Sequence, residues 1–185
     1  MSPKEKMSFR KANKEEVMII TSAIAEFGKN LPLKILENEK ILISKNREKK
    51  VFLISKEVYR QFVHIKKNET PYFIGVNIGE IGKNKRFKLS IEGIHEVGKH
   101  TKKKVIVSDK GEQFVLYGHS ILKKSVLRIP KNLKKGSNVI VANVYGDPIG
   151  LGRLHVNSEE IHNLKDEDLI LINVLDRGWY LRKGG

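Results

Sequence analysis

Six lysine and arginine side chains lie in residues 116–136, a stretch that contains no aspartate or glutamate. Ammonium and guanidinium groups form strong charge-assisted hydrogen bonds with phosphate oxygens, so an acid-free run of them indicates a polyanionic ligand. The same stretch contains apolar pairs at 121–122 and 126–127, which predict two short strands. We expect the bend between these strands to project Lys123 and Lys124 toward phosphate groups.

The charge of the whole chain indicates the same class of ligand. Its 185 residues include 36 Lys or Arg and 21 Asp or Glu, which gives a net charge of +15. This excess favours nucleic acid first and an anionic membrane surface second. No apolar run approaches the length of a membrane-spanning helix, and no lipidation signal is present, so we expect no membrane association.

The residue patterns of common catalytic and metal sites are absent. The chain has no cysteine, which excludes disulfides, thiolate metal sites and cysteine nucleophiles. His95 and His100, the closest pair of histidines, would lie on different faces of a helix. The glycine-containing stretches 75–85 and 146–152 match neither the phosphate-binding loop nor the dinucleotide fingerprint. We therefore expect an intracellular, non-catalytic protein without a metal ion or cofactor.

Hydrophobic patterning indicates two domains, 1–100 and 101–185, joined at the basic run 99–104. The first begins with a helix over 13–28, for which Asn13 and Glu16 form a predicted capping box. A second helix is predicted after Ser55 and a short third one through Ile94 and Val97. Between them we predict short strands at 33–36, 41–44, 51–55, 72–76 and 86–92.

The second domain consists mostly of short strands. Two segments, 111–118 and 158–164, are typical of helices, and Gly118 is expected to end the first of them. Strands at this density predict a small barrel or sandwich. The predicted strands are 104–108, 125–129, 138–144, 148–156, 169–174 and 179–181.

Charge is unevenly distributed within the second domain. Residues 102–135 contain ten basic and two acidic residues, whereas residues 136–181 contain three basic and seven acidic ones. The last predicted strand then ends in Arg182 and Lys183. We interpret another basic run, 45–50, as a solvated turn, because lysine-rich stretches usually form solvated surfaces.

The order of these features resembles a PUA domain, which is named for pseudouridine synthases and archaeosine transglycosylases. The resemblance includes the helix ending at Gly118, the bend that follows it, "KKG" at 134–136 and "GDPIGLG" at 146–152. Over about residues 10–183, with "EFGKNL", "KRFKLSIEGI" and "LYGHSILKKS", the chain resembles the Nip-seven family. Its members are factors in large ribosomal subunit biogenesis in eukaryotes and archaea.

This resemblance implies an α+β chain, with an N-terminal α/β domain on an antiparallel sheet and a PUA pseudo-barrel that binds RNA. The implied partners are precursor ribosomal RNA, the pre-ribosomal particle and, in some members, the exosome or other assembly factors. The implied location is cytoplasmic, or nucleolar and nuclear in a eukaryote. Carried over by position, the RNA-binding residues are Lys110, Gly111, Lys123, Lys124, Arg182 and Lys183.

Three alternatives stay open at this point. PUA domains often accompany RNA-modifying enzymes, so the chain could be such an enzyme, or its accessory subunit, that holds tRNA or rRNA. It could also be a protein-binding adaptor whose basicity is incidental. Trp179 is larger than expected in a last strand, and it is either a base-stacking surface or a core residue; we favour the core.

Overall fold

The computed structural model describes residues 8–44, 49–64 and 74–183, and it has the predicted α+β composition. Contacts divide the chain into two compact units, residues 1–25 with 29–93 and residues 26–28 with 94–185. This division falls inside a helix, a few residues before the boundary at 100 that the sequence predicts. Where an independently folding fragment would begin stays a prediction.

The first unit is built on a five-stranded antiparallel sheet in the order β1-β2-β3-β4-β5. The central strands β2 and β3 each bury four consecutive residues, which indicates that both faces of the sheet are covered. The strands are β1 (Phe9–Lys11), β2 (Glu39–Ser44), β3 (Lys49–Ser55), β4 (Val76–Ile81) and β5 (Phe87–Leu89). The helices are α1 (Lys14–Ala25), α2 (Leu31–Leu36) and α3 (Lys56–His64), and the boundary between the units falls within α4 (Ile91–His100).

The predicted capping box of α1 is confirmed. The Glu16 amide donates to Asn13 Oδ1 over 2.8 Å, and the Asn13 amide donates back to Glu16 Oε2 over 3.1 Å. These bonds satisfy two amides at a helix start that has no earlier carbonyls to accept them. One face of the helix then buries Ile20 and Ile24 in the core of the first unit.

Three predictions in the first unit need correction. The predicted strand at 33–36 belongs to α2, because Pro32 in the first turn sets a helical φ. The basic run 45–50 is not wholly a turn, since Lys49 and Lys50 begin β3, while 45–48 lie outside the described residues. The strand predicted from 72 begins only at Val76, after Gly75 with a φ of 64°, and 72–73 also lie outside the described residues.

The second unit contains a six-stranded sheet in the order β7-β11-β10-β9-β6-β8. Its two edge strands, β7 and β8, are consecutive in the chain and are joined by a single 3₁₀ turn, Lys123–Ser125. The sheet must therefore curl until its edges approach each other, which produces the predicted pseudo-barrel. The strands are β6 (Lys104–Val107), β7 (Ile121–Leu122), β8 (Val126–Arg128), β9 (Asn138–Ala142), β10 (Pro148–Leu154) and β11 (Leu169–Asp176), with helices α5 (Asp109–Leu116) and α6 (Trp179–Lys183).

Alternate residues of the barrel strands point into one core. Val105 and Val107 of β6 pack with Val139 and Val141 of β9, and all four are at most 3% exposed. The residues between them, Ile106 and Ile140, are also buried, so both faces of these two strands are covered.

The predicted last strand at 179–181 is wrong, since these residues form α6. A side chain at Gly178 would collide with the Leu116 carbonyl, so glycine lets the chain turn closely past α5. The Arg182 amide donates to the Gly178 carbonyl over 3.1 Å, which closes a helical turn. Trp179 is 40% exposed in this helix, so the preferred core assignment is also wrong.

Candidate nucleic-acid interface

Helix α5 is the element around which most of the predicted RNA-binding residues lie. Ser108 Oγ accepts the Gly111 amide over 3.2 Å and caps its first turn. At the other end, Gly118 has a φ of 84° and donates to the Val115 carbonyl over 2.8 Å. The His119 amide donates to the Phe114 carbonyl, which completes a Schellman motif and confirms the predicted end at Gly118.

Lys110 and Gly111 occupy the first turn of α5 but differ in environment. Lys110 is exposed, and no salt bridge is formed by it within the described part of the chain. Gly111 is buried, and a Cβ there would lie 2.9 Å from Val107 Cβ and 3.0 Å from Ser125 Cβ. Gly111 therefore lets α5 pack closely on the strands, and its amide is already donated to Ser108.

The Lys123–Lys124 turn lies against an acidic loop, residues 165–168. The Lys123 and Lys124 amides donate to the carbonyls of Asp168 and Asp166 over 2.9 and 3.1 Å. Lys124 Nζ lies 3.6 Å from Glu167 Oε1. The positive charge that lacks a neighbouring acid in sequence is thus partly compensated by a loop about forty residues later in the chain.

The Lys123 side chain is also engaged within the fold. Its Nζ donates to the carbonyl of Leu164, the residue directly before the same loop. Of the two neighbours, Lys124 is the more exposed, at 46% of its side chain. Lys124 is therefore the member of the pair that can turn toward an external phosphate with the smaller loss of internal contacts.

Arg182 forms a bidentate ion pair with a buried carboxylate. Its Nη1 and Nη2 lie 3.0 and 2.9 Å from the two oxygens of Asp176, whose side chain is 3% exposed. Nη1 also donates to the Leu116 carbonyl at the end of α5. The hydrogen bond to Asp176 raises the pKa of Arg182 above its ordinary value. Arg182 thus fastens α6 to α5 and β11.

The predicted residues flank α5 at its two ends. Ser125, next to Lys124, contacts the first turn through Gly111, and Arg182 contacts the last turn through Leu116. Lys183 ends α6, and its side chain lies outside the described part of the chain. Lys110 and Lys124 are therefore the predicted cations with described side chains that are most accessible.

The structure also exposes basic side chains that the predicted set omits. Lys131, Lys134 and Lys135 are exposed in the loop between β8 and β9. The signal was available, because all three lie in the acid-free stretch 116–136. Lys123 and Lys124 were predicted because they lie at a predicted bend, but the order of residues does not show which lysines are paired in the fold.

Within residues 8–44, 49–64 and 74–183, no three histidine, aspartate or glutamate side chains converge where they could hold a metal ion. Across the same ranges, the helices are too short or too polar to span a bilayer.

Comparisons with known proteins cover both units. A family model described as the "NIP7/UPF0113, pre-PUA domain" matches residues 9–91, and a "UPF0113 PUA domain" model matches residues 103–185. A UPF0113 protein of Archaeoglobus fulgidus is 33% identical over 95% of both chains. The 60S ribosome subunit biogenesis protein NIP7 of Saccharomyces cerevisiae is 23% identical over 94% of this chain and 96% of its own.

Solved structures show the same two-part fold. A hypothetical protein of Pyrococcus horikoshii matches with a TM-score of 0.64 and 12% identity, covering 94% of this chain and 99% of its own. A conserved PUA domain protein of Thermoplasma acidophilum matches with a TM-score of 0.63 and 13% identity, covering 92% and 95%. These similarities confirm the predicted arrangement of an α+β unit followed by a PUA pseudo-barrel.

Proposed function

The chain belongs to the NIP7/UPF0113 family, as its sequence resemblance predicted, and from this premise we propose that it is a non-catalytic RNA-binding factor in large ribosomal subunit biogenesis and pre-rRNA processing. The observation that carries the proposal is the match along nearly the whole chain to relatives named 60S ribosome subunit biogenesis proteins. The net charge of +15 supports an RNA ligand, because phosphate neutralisation dominates nucleic-acid affinity.

The proposed RNA surface is the face around α5. Lys110 and Lys124 contact phosphates, and Lys183 does so from the end of α6. Gly111, Lys123 and Arg182 belong to the same surface but hold its elements together through their contacts with Ser125, Leu164 and Asp176. The chemistry is non-covalent: cations position the RNA backbone, and no bond is made or broken.

The proposed partners follow from the same function. The chain binds precursor ribosomal RNA within a pre-ribosomal particle, beside other assembly factors or the exosome. It is located where such particles are assembled, in the cytoplasm or, in a eukaryote, in the nucleolus and nucleus. Support comes from the names of the relatives, which place those proteins in 60S subunit biogenesis.

Crosslinking in cells, followed by sequencing of the bound RNA, tests the proposal. We expect reads to cluster on precursor large-subunit RNA. Reads concentrated on tRNA would instead favour the alternative of an RNA-modifying enzyme or its accessory subunit. Incubation with bulk RNA and common cofactors, followed by nucleoside analysis, completes the test, because a new modified nucleoside would overturn the non-catalytic assignment.

The α5 surface has its own test in vitro. With about four phosphate contacts to single-stranded RNA, the log–log salt dependence of binding should have a slope of roughly −3. A variant with Lys110→Ala and Lys124→Ala should bind more weakly and flatten that slope by roughly 1 to 2. Unchanged affinity and an unchanged salt slope would show that RNA does not bind at the surface around α5.

A further inference from the structure

The loop between β8 and β9, residues 129–137, carries the exposed side chains of Lys131, Lys134 and Lys135. We propose that this loop is a second phosphate-binding surface, which contacts the backbone of the bound RNA. The inference rests on the proposed function and adds a surface separate from the one around α5. Within residues 74–183, the salt bridges do not include any of these three ammonium groups.

The loop backbone is held in one conformation by the neighbouring segment 157–159. Leu133 is 5% exposed in the barrel core, its amide donates to Ser158 Oγ, and its carbonyl accepts the Ser158 amide, both over 2.9 Å. The Lys135 amide donates to Asn157 Oδ1 over 2.9 Å. The lysine Cα positions are therefore ordered before binding, which leaves only side-chain freedom to be lost.

Two arginines extend the basic surface along the same end of the sheet. Arg128 ends β8, directly before the loop, and is exposed. Arg153 lies opposite Asn138 in the β9–β10 pairing, where the Leu154 amide donates to the Ser137 carbonyl over 3.0 Å. Because β9 begins where β10 ends, Arg153 lies at the same end of the sheet as the loop, which directly precedes β9.

The acids nearest the loop in the fold reduce this charge without cancelling it. Glu159 accepts the Asn132 amide over 2.5 Å, and Glu160 accepts the Asn157 amide group over 2.7 Å. Hydrogen bonds from backbone amides, its own and that of Asn132, lower the pKa of Glu159, so this carboxylate is ionised at neutral pH. The two carboxylates offset only part of the charge of the three lysines and two arginines, whereas Lys124 lies directly against an acidic loop.

The chemistry of the loop fits the RNA backbone rather than the bases. Lysine is a mobile point charge without the planar geometry that recognises a base edge. The amides of Asn132, Leu133 and Lys135 are already bonded within the fold, so the loop offers side-chain cations and few other donors. The surface therefore contributes affinity and salt dependence without sequence preference.

Fluorescence anisotropy with a labelled, mixed-sequence single-stranded RNA tests the inference in the full chain. The variant with Lys131→Ala, Lys134→Ala and Lys135→Ala should lose at least about tenfold in affinity near physiological salt. Its salt slope should become shallower by about 2, corresponding to three lost contacts, and the wild-type slope should be steeper than −3 because these contacts add to those around α5. Its Tm should stay that of the wild type, because the three lysine side chains are exposed and the backbone hydrogen bond of Lys135 is kept by alanine.

A charge-matched control separates this effect from a general loss of charge. Lys34, Lys83 and Lys88 are exposed in the first unit, and their triple alanine variant removes the same charge. The inference is supported if this control keeps affinity within about threefold of the wild type. Equal losses in both triple variants would overturn it.

The opposite change sharpens the test. Glu159→Gln removes a negative charge and keeps an oxygen that can accept the Asn132 amide, so affinity should rise by about twofold. If the wild type and the loop variant bind RNA equally well, the proposed role of the loop is refuted but the proposed function is not. A wild-type chain that does not bind RNA even at low salt would refute the proposed function as well.

Discussion

Each unit contains an arginine–carboxylate cluster. The two clusters share a local geometry, but different additional groups contact the two carboxylates. Arg10 holds Glu16 through two contacts of 2.7 Å, and Arg182 holds Asp176 through contacts of 3.0 and 2.9 Å. In both pairs the carboxylate side chain is 3% exposed and the arginine 34%. Each arginine therefore covers a buried anion and leaves only part of its own surface to solvent.

The surroundings of the two carboxylates differ. Glu16 also accepts Lys49 Nζ over 3.2 Å and the Asn13 amide over 3.1 Å, so it ties β1, α1 and β3 together. Asp176 accepts Asn173 Nδ2 over 3.2 Å in addition to its arginine. Some of the basic side chains are thus paired with buried carboxylates inside the fold. The number of lysines and arginines in the sequence therefore overstates the positive charge that is available to bind RNA.

Separating the two units should give the largest effect. A fragment from Ile94 to Gly185 keeps the Asp176 cluster and the part of α4 that packs on β10 through Gly98 and Pro148. A fragment from Thr101, at the boundary predicted from sequence, loses the buried Val97 and should be less stable by about 4 kcal/mol. Urea unfolding of both fragments measures the difference, and equal midpoints would favour the boundary at 100.

Glu16→Ala should destabilise the full chain by about 3 kcal/mol. It removes the acceptor of two basic side chains and half of the capping box, leaving Arg10 and Lys49 without their buried partner. Chemical denaturation measures the change. If the loss of unfolding free energy is no larger than that expected for an exposed ion pair, the cluster contributes little to the stability of the fold.

The same cluster should set the acid stability of the first unit. Hydrogen bonds from Arg10 lower the pKa of Glu16 to about 2, from an ordinary value of 4.5. Because the folded-state pKa is the lower one, the stabilisation is complete above about pH 5 and is lost as the pH falls toward 2, by about 3 kcal/mol. Glu16→Gln should flatten this part of the pH–stability curve, and a curve identical to that of the wild type would contradict the assignment.

Asp176→Ala should cost less, about 2 kcal/mol, because fewer groups depend on this carboxylate and Arg182 can be rehydrated. Thermal unfolding of the fragment from Ile94 measures the change without a contribution from Glu16. If Asp176→Ala proved more damaging than Glu16→Ala in the full chain, the ranking of the two clusters would be reversed.

Arg182→Ala should give the smallest effect on RNA affinity among the predicted cations. The guanidinium is directed at Asp176 and Leu116, so its removal should loosen α6 and leave the salt slope of RNA binding nearly unchanged. Anisotropy titrations of Arg182→Ala beside the Lys110 and Lys124 variants make the comparison. A flattening of the slope by roughly 1 would show instead that Arg182 contacts a phosphate directly.

Local signals predicted much of the fold. The capping box at Asn13 and Glu16 and the left-handed glycine at 118 depend on bonds between neighbours in sequence, and both are present. The predicted strand at 179–181 failed because aromatic β-propensity was overridden by contacts with α5 and β11. The strand predicted at 33–36 is wrong because of a local signal, since Pro32 favours the start of a helix at this position.

The candidate site was predicted less completely than the fold. Lys110 and Lys124 are exposed as an RNA surface requires, whereas Lys123 and Arg182 are engaged by Leu164 and Asp176. Leu164 is distant from Lys123 in sequence, and Asp176 lies between the predicted strands 169–174 and 179–181, where no sequence pattern indicates a pair with Arg182. Composition indicates the sign of the surface charge. Only the ion pairs and hydrogen bonds of the folded chain show which charged side chains are available to bind RNA.

The sequence by itself determined the family, the two-part α+β organisation and the basic character that indicates RNA, because these depend on residue order, periodicity and summed charge. Only the tertiary structure decided which cations are paired: Lys49 with Glu16, Lys124 with Glu167 and Arg182 with Asp176. The reason is that ion pairing acts over a few ångströms in space, and folding brings together charges that the chain separates.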